Sequence, residues 1–279
     1  MHIMFGKGSN NANKNQTALE YPMSLLDRFK LDNQVAVVTG GGKGIGERIA
    51  YGLADAGADV VVVSRTTDQI EQVADNIRAM GRNALAITAD IMDYTRVHEV
   101  VAEVEAKMGR LDCWVNNAGG GDGVQRTFME LPEEQWNYQI DLNLKAVWSG
   151  AQAASKVMKE RGSGTIVNIS SILSHTAAPS NGPYTLSKTA VENFTQTLAA
   201  ELAEFGIRVN AVAPGPIPTE VFVKFFEVEE KDLPELAVTL GVPLGRLGDP
   251  RDIAPAVVYL ASDASSWMTG KTMTIAGGL

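Results

Sequence analysis

The sequence predicts an α/β fold built on one doubly wound, seven-stranded parallel sheet with helices on both faces. Three observations carry that expectation. Short apolar, β-branched runs alternate with stretches of helical spacing from Val35 to the C-terminus. Within the runs apolar residues follow one another instead of alternating with polar ones, as they do in strands covered on both faces. Gly57, Gly81 and Gly109 close the first three helical stretches, where a left-handed residue ends a helix.

In chain order, strands are expected at 35–39, 60–64, 84–89, 111–116, 164–170, 208–212 and 272–276. Helices are expected at 46–56, 68–80, 95–108, 136–161, 183–205 and 252–262. The alternation makes each helix a crossover between parallel strands. No long linker or repeat interrupts it, so 23–279 reads as a single domain. Residues 1–22 are different. Asn10, Asn11, Asn13, Asn15 and Gln16 form a polar stretch without hydrophobic periodicity, read as a disordered extension, either a leader or a tag. No apolar core follows a basic start there, so it is not a signal peptide.

The composition excludes several classes. The 279 residues suffice for a buried core. Acidic residues number 33 and basic ones 24, a net charge of −9. That balance argues against nucleic acid, which needs a basic footprint, and offers anionic lipid no polybasic patch. No apolar run approaches the ~18 residues of a membrane span. The lone cysteine, Cys113, lies in the apolar stretch 111–115 and reads as an inert core thiol; no disulfide framework is possible. His2, His98 and His175 are far apart, so no metal site is expected. The missing signal and disulfides suggest the cytoplasm.

The first strand runs into Gly40-Gly41-Gly42-Lys43-Gly44-Ile45-Gly46 and a helix follows. Glycines permit the turn and a close approach of pyrophosphate, and the helix N-terminus offers free N–H groups. The second strand ends Ser64-Arg65, without the carboxylate that would hold an NAD ribose. An Arg fork can instead bind a 2′-phosphate, and Lys43 adds a second cation. Tyr184 and Lys188, four apart, share one helix face, and an ammonium beside a phenol would lower its pKa. Ser171, just after the fifth strand, could donate to a substrate oxygen as negative charge develops.

Thr39-Gly-x-x-x-Gly-x-Gly46, Asn116-Asn117-Ala118-Gly119, Tyr184-x-x-x-Lys188 and Pro214-Gly215, in this order and at these intervals, resemble the short-chain dehydrogenase/reductase family from about Leu31 to Leu279. The resemblance implies a Rossmann-type fold and a homotetramer joined through 136–161 and 183–205, with a second contact at the C-terminus. It implies that Asp90 and Ile91 meet the adenine, that Asn117 and Gly119 line the cofactor, and that Pro214, Gly215, Ile217 and Thr219 contact the nicotinamide amide. The Ser64-Arg65 pair with Lys43 resembles members that prefer NADP(H). By the same resemblance, hydride passes from NADPH to a ketone carbon, Tyr184 gives the proton, Ser171 polarises the carbonyl, Lys188 binds the ribose, and Asn143 holds a water that links Lys188 to solvent.

Specificity is expected in a lid at about 217–247. Phe222, Phe225 and Phe226 have helical spacing there and suit either an apolar ligand or plain core packing. His175 and Asn181 lie in the loop before Tyr184. The chain resembles bacterial 7α-hydroxysteroid dehydrogenases in 116–121, 243–253 and 266–278, and 3-oxoacyl-carrier-protein reductases in its general motifs. Those reductases often hold their acidic carrier through an Arg where this chain has Phe205, with Lys159 and Arg161 as other cations. The expected substrate is a small apolar or alicyclic ketone or its alcohol. An enoyl-thioester reductase and a non-catalytic NADPH-binding module remain as alternatives.

Overall fold

β-branched residues fill the strands at the centre of the molecule. The computed structural model describes residues 24–121 and 126–279; the extension expected at 1–22 lies outside them. Seven strands form one sheet: β1 (Val35–Thr39), β2 (Asp59–Ser64), β3 (Ala84–Thr88), β4 (Cys113–Asn116), β5 (Gly164–Ile169), β6 (Ile207–Pro214) and β7 (Thr272–Ile275). Their order is β3-β2-β1-β4-β5-β6-β7 and every pair is parallel. The helices are α1 (Gly44–Asp55), α2 (Thr67–Ala79), α3 (Tyr94–Met108), α4 (Glu133–Ile140), α5 (Ala146–Arg161), α6 (Gly182–Leu202), α7 (Glu220–Phe226), α8 (Leu233–Thr239) and α9 (Pro250–Ala261).

The pleat divides each strand between two cores. Ala36 and Val38 of β1 pack with Ile49, Leu53, Ile70, Ile253 and Leu260 of α1, α2 and α9. Val35 and Val37 pack on the other face with Val97, Val104, Met158 and Ala199 of α3, α5 and α6. All five β1 residues are therefore buried. Burial of each large aliphatic side chain is worth about 1.5–3 kcal/mol, so both layers of helices are fastened to the sheet by apolar area. Asp93 caps α3 through Arg96 N, and Gly109 ends it at φ 77°, which a side chain would strain.

Two elements depart from the sequence reading. The helix expected at 136–161 begins at Glu133 and contains a π turn, Asp141–Lys145, between α4 and α5. In 217–247 the chain forms α7 and also α8, which sequence periodicity did not indicate; α8 is only seven residues long, with Pro234 in its first turn. Phe222, Leu233, Leu236 and Leu240 pack there on Ala237, Val242 and Leu247, a small core separate from the two large ones.

Cys113 is 1% exposed on β4, and burial pushes its thiol up to about 12. The thiolate is the reactive form. Native protein at pH 8 should therefore leave Cys113 unmodified by Ellman's reagent over a period in which the urea-unfolded chain releases one equivalent of chromophore. Equal rates in both states would contradict this burial.

Candidate active site

The chain leaves β3 at one edge of the sheet and returns to place β4 beside β1. Connections on the two sides of this switch run in opposite directions, which opens a crevice at the C-terminal strand ends. The segments leaving β1, β2, β4, β5 and β6 all gather at that edge, and with them nearly every residue singled out by the sequence.

The glycine loop follows β1. Gly40 has φ 64°, and a Cβ at Gly46 would sit 2.3 Å from Gly40 O and 2.4 Å from Asn117 Nδ2. Only glycine fits either place. Asn117 Nδ2 donates to Thr39 O at 2.9 Å and Gly40 O at 3.2 Å, while Thr39 Oγ1 accepts from Asn117 N and Ala118 N at 3.0 and 3.1 Å. The loop after β4 thus braces the loop after β1. Among the described residues, the N–H groups of Lys43, Gly44 and Ile45 at the start of α1 have no acceptor within the chain. Free donors, a helix N-terminus and side-chain-free approach fit a dinucleotide pyrophosphate.

Around that cradle, Ser64 Oγ accepts from Thr66 N at 3.3 Å and lies 3.3 Å from where a Cβ on Gly42 would be. Arg65 is exposed, and among the described residues none is recorded accepting a hydrogen bond from it. Lys43 is bonded instead to Glu220 at the start of α7, a pairing the sequence did not suggest. Asp90 Oδ1 accepts from Met92 N at 2.9 Å, and Ile91 packs on the α3–α5 core. Gly215 N donates to Ile275 O at 2.9 Å just beyond Pro214. The Ile217 side chain is 5% exposed and belongs to the core around α1 and α9. Thr219 caps α7 and lies against the glycine loop, 3.4 Å from a Cβ on Gly44. Val221 comes within 3.9 Å of a Cβ on Gly120. The N-terminus of α7 therefore bridges the loops after β1 and β4.

The titratable groups stand opposite, on α6 and the β5 end. Tyr184 lies in the first turn of α6 beside Pro183, and Lys188 one turn later has its Nζ 5.7 Å from the Tyr184 ring centroid. Tyr184 is half-buried. Burial pushes its phenol above the ordinary value, and the hydrogen bond with the Ser171 hydroxyl pulls in the other direction. Spacing predicts that Lys188 lowers this pKa; in the folded chain desolvation dominates and Ser171 is the group that opposes it. Lys188 is 3% exposed, and burial lowers its ammonium to about 8. Its Nζ donates to Ile169 O at 2.8 Å. A Cβ on Gly119 would approach Nζ to 3.3 Å and Asn143 Oδ1 to 2.8 Å, which accounts for the missing side chain at 119.

Asn143 is fully buried in the π turn. Its Nδ2 donates to Gln139 O at 3.1 Å, the carbonyl that an ordinary helix would give to the Asn143 N–H, and the ladder widens at that point. The widened turn aims the amide at the β4 loop: Oδ1 accepts from Gly120 N at 2.8 Å and Nδ2 donates to Gly120 O at 3.0 Å. Behind it a buried relay joins the strands to α6. Trp114 Nε1 donates to Asn116 Oδ1, Asn116 Nδ2 to Asn168 Oδ1, and Asn168 Nδ2 to Thr195 Oγ1, at 2.7, 2.9 and 2.9 Å.

The structure brings Ser171, Tyr184, Lys188 and Asn143 to one end of the sheet with the glycine loop, Asn117, Gly119 and the Pro214–Gly215 turn. His175 does not stand free in its loop; it bonds to Glu192, which the sequence reading passed over although it lies four residues after Lys188. No group of three His, Cys, Asp or Glu among the described residues could hold a metal ion, and none of the described helices is long and apolar enough to cross a membrane.

A family model described as Enoyl-(Acyl carrier protein) reductase matches residues 40–279. The 3-oxoacyl-(acyl-carrier-protein) reductase FabG of Staphylococcus aureus is 37% identical over 247 residues, 88% of this chain and 97% of that protein. A gluconate 5-dehydrogenase from Burkholderia cenocepacia, solved with NADP and tartrate, superposes with TM-score 0.85 at 34% identity, covering 92% of this chain and 98% of that one. A 7α-hydroxysteroid dehydrogenase solved with NADH and 7-oxo glycochenodeoxycholic acid gives TM-score 0.84 at 33% identity, covering 90% and 96%. Seven-stranded fold and likeness agree over nearly the whole chain.

The glycine loop makes a direct prediction. Gly46→Ala should lower the affinity for a nicotinamide dinucleotide by about tenfold or more, the scale of a lost charge-assisted contact, and destabilise the fold by about 1–3 kcal/mol through overpacking. Fluorescence titration and thermal melts measure both; unchanged affinity would mean that the loop does not hold a dinucleotide.

Proposed function

The chain belongs to the short-chain dehydrogenase/reductase family of NAD(P)-dependent oxidoreductases, and from that premise we propose that it reduces an apolar or alicyclic ketone, or oxidises the matching secondary alcohol, with NADP(H). The observation that carries this reading is the Tyr184 phenol, bonded to Ser171 and one helical turn from a buried lysine, beside the glycine loop. A sensor that only bound nucleotide would need no such proton donor.

In this reading Gly40, Gly42, Lys43, Gly44, Ile45 and Gly46 hold the pyrophosphate end, with Ser64, Arg65, Asp90 and Ile91 around the adenosine. Asn117, Gly119, Pro214, Gly215, Ile217 and Thr219 surround the nicotinamide. When bound, the nicotinamide supplies hydride to the carbonyl carbon. Ser171 donates to the carbonyl oxygen and orients it. Tyr184, kept protonated at neutral pH by its raised pKa, passes its proton to that oxygen as charge develops. The nearby Lys188 charge stabilises the phenolate left behind and binds the ribose. Asn143 fixes Gly120 and, through water, opens Lys188 to solvent for reprotonation.

NADP(H) preference is supported by the missing carboxylate at the end of β2 and by the unengaged Arg65 guanidinium there. Substrate class is supported by α7, whose Val221 overhangs the β4 loop, and by the likeness to an enzyme solved with a 7-oxo steroid. A 3-oxoacyl thioester is the second reading. FabG is 37% identical, and Lys159 lies 4.0 Å over the Phe205 ring, a cation where a carrier would dock. We propose 217–247 as the substrate lid. A homotetramer would cover Trp136, Trp148 and Leu186 on α4–α6 and the fully exposed Trp267. A lone buried thiol suits the cytoplasm.

The reading is tested by following NADPH and NADH absorbance with a cyclic ketone, a keto-steroid, a 3-oxoacyl thioester and a 2-enoyl thioester. Turnover of a ketone, abolished in Tyr184→Phe while NADPH binding persists, is expected; binding with no carbonyl reduced would overturn it in favour of an enoyl-reducing or binding role. Arg65→Asp should cut the NADPH-over-NADH preference by about 10–100-fold, the worth of a charged hydrogen bond. An unchanged ratio would remove Arg65 from cofactor choice.

A further inference from the structure

We infer that Glu192 is a positioning residue of this reaction: it fastens the segment carrying Ser171 to the helix carrying Tyr184 and Lys188, and so sets the spacing of the two groups that meet the substrate oxygen. The inference rests on the carbonyl-reductase reading above. Tyr184, Lys188 and Glu192 recur every four residues and lie along one face of α6. The Glu192 side chain is 14% exposed, and among the described residues the basic group paired with it is His175. A carboxylate so placed is costly unless its oxygens are satisfied. Among the described residues, the partners of both oxygens come from the segment after β5. Oε1 accepts from Ser170 Oγ at 2.8 Å and from Ser174 Oγ at 2.5 Å, and Oε2 meets His175 Nε2 at 2.8 Å.

Ser170 and Ser174 bracket Ser171. Ser174 N donates to Ser171 O at 3.0 Å; the Ser174 hydroxyl lies 2.6 Å from that carbonyl and shares its one proton between it and Glu192, and Ser170 Oγ shares its proton likewise with Lys188 O at 3.2 Å. The Ser171 carbonyl is thus held by Ser174, which Glu192 holds in turn. Apolar packing is incomplete here, with Ile172 and Leu173 only partly buried. The turn Ile172–His175 has no buried residue, so polar ties order it, and charge-assisted ones are the strongest of these. Thr189 Oγ1 adds only a neutral bond to Ser174 O, at 3.0 Å. Ser171 Oγ accepts from Leu173 N at 3.2 Å, so displacement of the turn displaces the hydroxyl that bonds Tyr184.

The test measures steady-state kinetics, NADPH affinity and amide exchange on the full chain. Glu192→Ala should lower kcat by about 10–100-fold, the scale for misplacing a reacting group by about 1 Å. NADPH affinity should stay within about twofold, a separation expected when binding contacts are untouched. Exchange at the Leu173 and Ser174 amides should quicken. Glu192→Gln keeps an acceptor for the two serine hydroxyls and should recover most of the lost kcat. If Glu192→Ala does not fold, Ser174→Ala decides, with kcat falling in the same sense. Unchanged kcat in the folded variant, or kcat and NADPH affinity falling together in proportion to the folded fraction, would overturn the inference. If the wild type reduces no carbonyl, the functional reading fails separately. Amide exchange then judges the fastening alone: faster exchange supports it and unchanged exchange overturns it.

Discussion

The site depends on keeping one ammonium group almost completely out of water. Lys188 is 3% exposed, and its Nζ has the Ile169 carbonyl as its bonded partner. No described carboxylate pairs with it. Desolvation without a counter-ion pulls its pKa to about 8, and the difference from 10.5 is a folding penalty on the order of 3 kcal/mol for so buried a group. A fold carries such a penalty only if the rest of the structure over-determines the position.

Much of what surrounds Lys188 meets that demand. Helix α6 is tied to β4 and β5 through Thr195, Asn168 and Asn116, and to the β5 end through Ser170 and Glu192. Gly119 leaves room beside Nζ, and Asn143 holds the next residue of that loop by both backbone groups. The opposite wall is rigid for a different reason: the glycine loop and the β4 loop brace each other through Thr39 and Asn117. A ligand entering the crevice meets free N–H groups at one end and a buried cation at the other. Both favour a bound dinucleotide over water.

The sheet was legible in the sequence because strands buried on both faces leave unbroken runs such as Val60–Val63, and because glycines mark the helix ends. The glycine loop and the Tyr184–Lys188 pair were legible because their chemistry fixes short spacings. The rest depends on contacts between distant residues. The π turn at Asp141–Lys145 arises from one side chain competing for a carbonyl, which periodicity cannot register. Lys43–Glu220 spans 177 residues. Ser170, Ser174 and Glu192 looked like ordinary loop and helix polar residues until the fold set them together. The upward shift of the phenol was not legible either, since spacing shows that Lys188 is near but not how much water is lost.

The most direct measurement is the pH dependence of stability in Lys188→Met without cofactor. Below pH 8 the wild-type lysine is charged in both folded and unfolded chains, so its whole penalty is present. Between pH 8 and 10.5 the folded state gives up the proton first, and the penalty disappears. The account predicts that Lys188→Met is more stable than wild type at pH 7, by up to about 3 kcal/mol, with the advantage fading as the pH rises toward 10.5 and with catalysis lost. A variant less stable than wild type at pH 7, with a difference that does not change with pH, would contradict it.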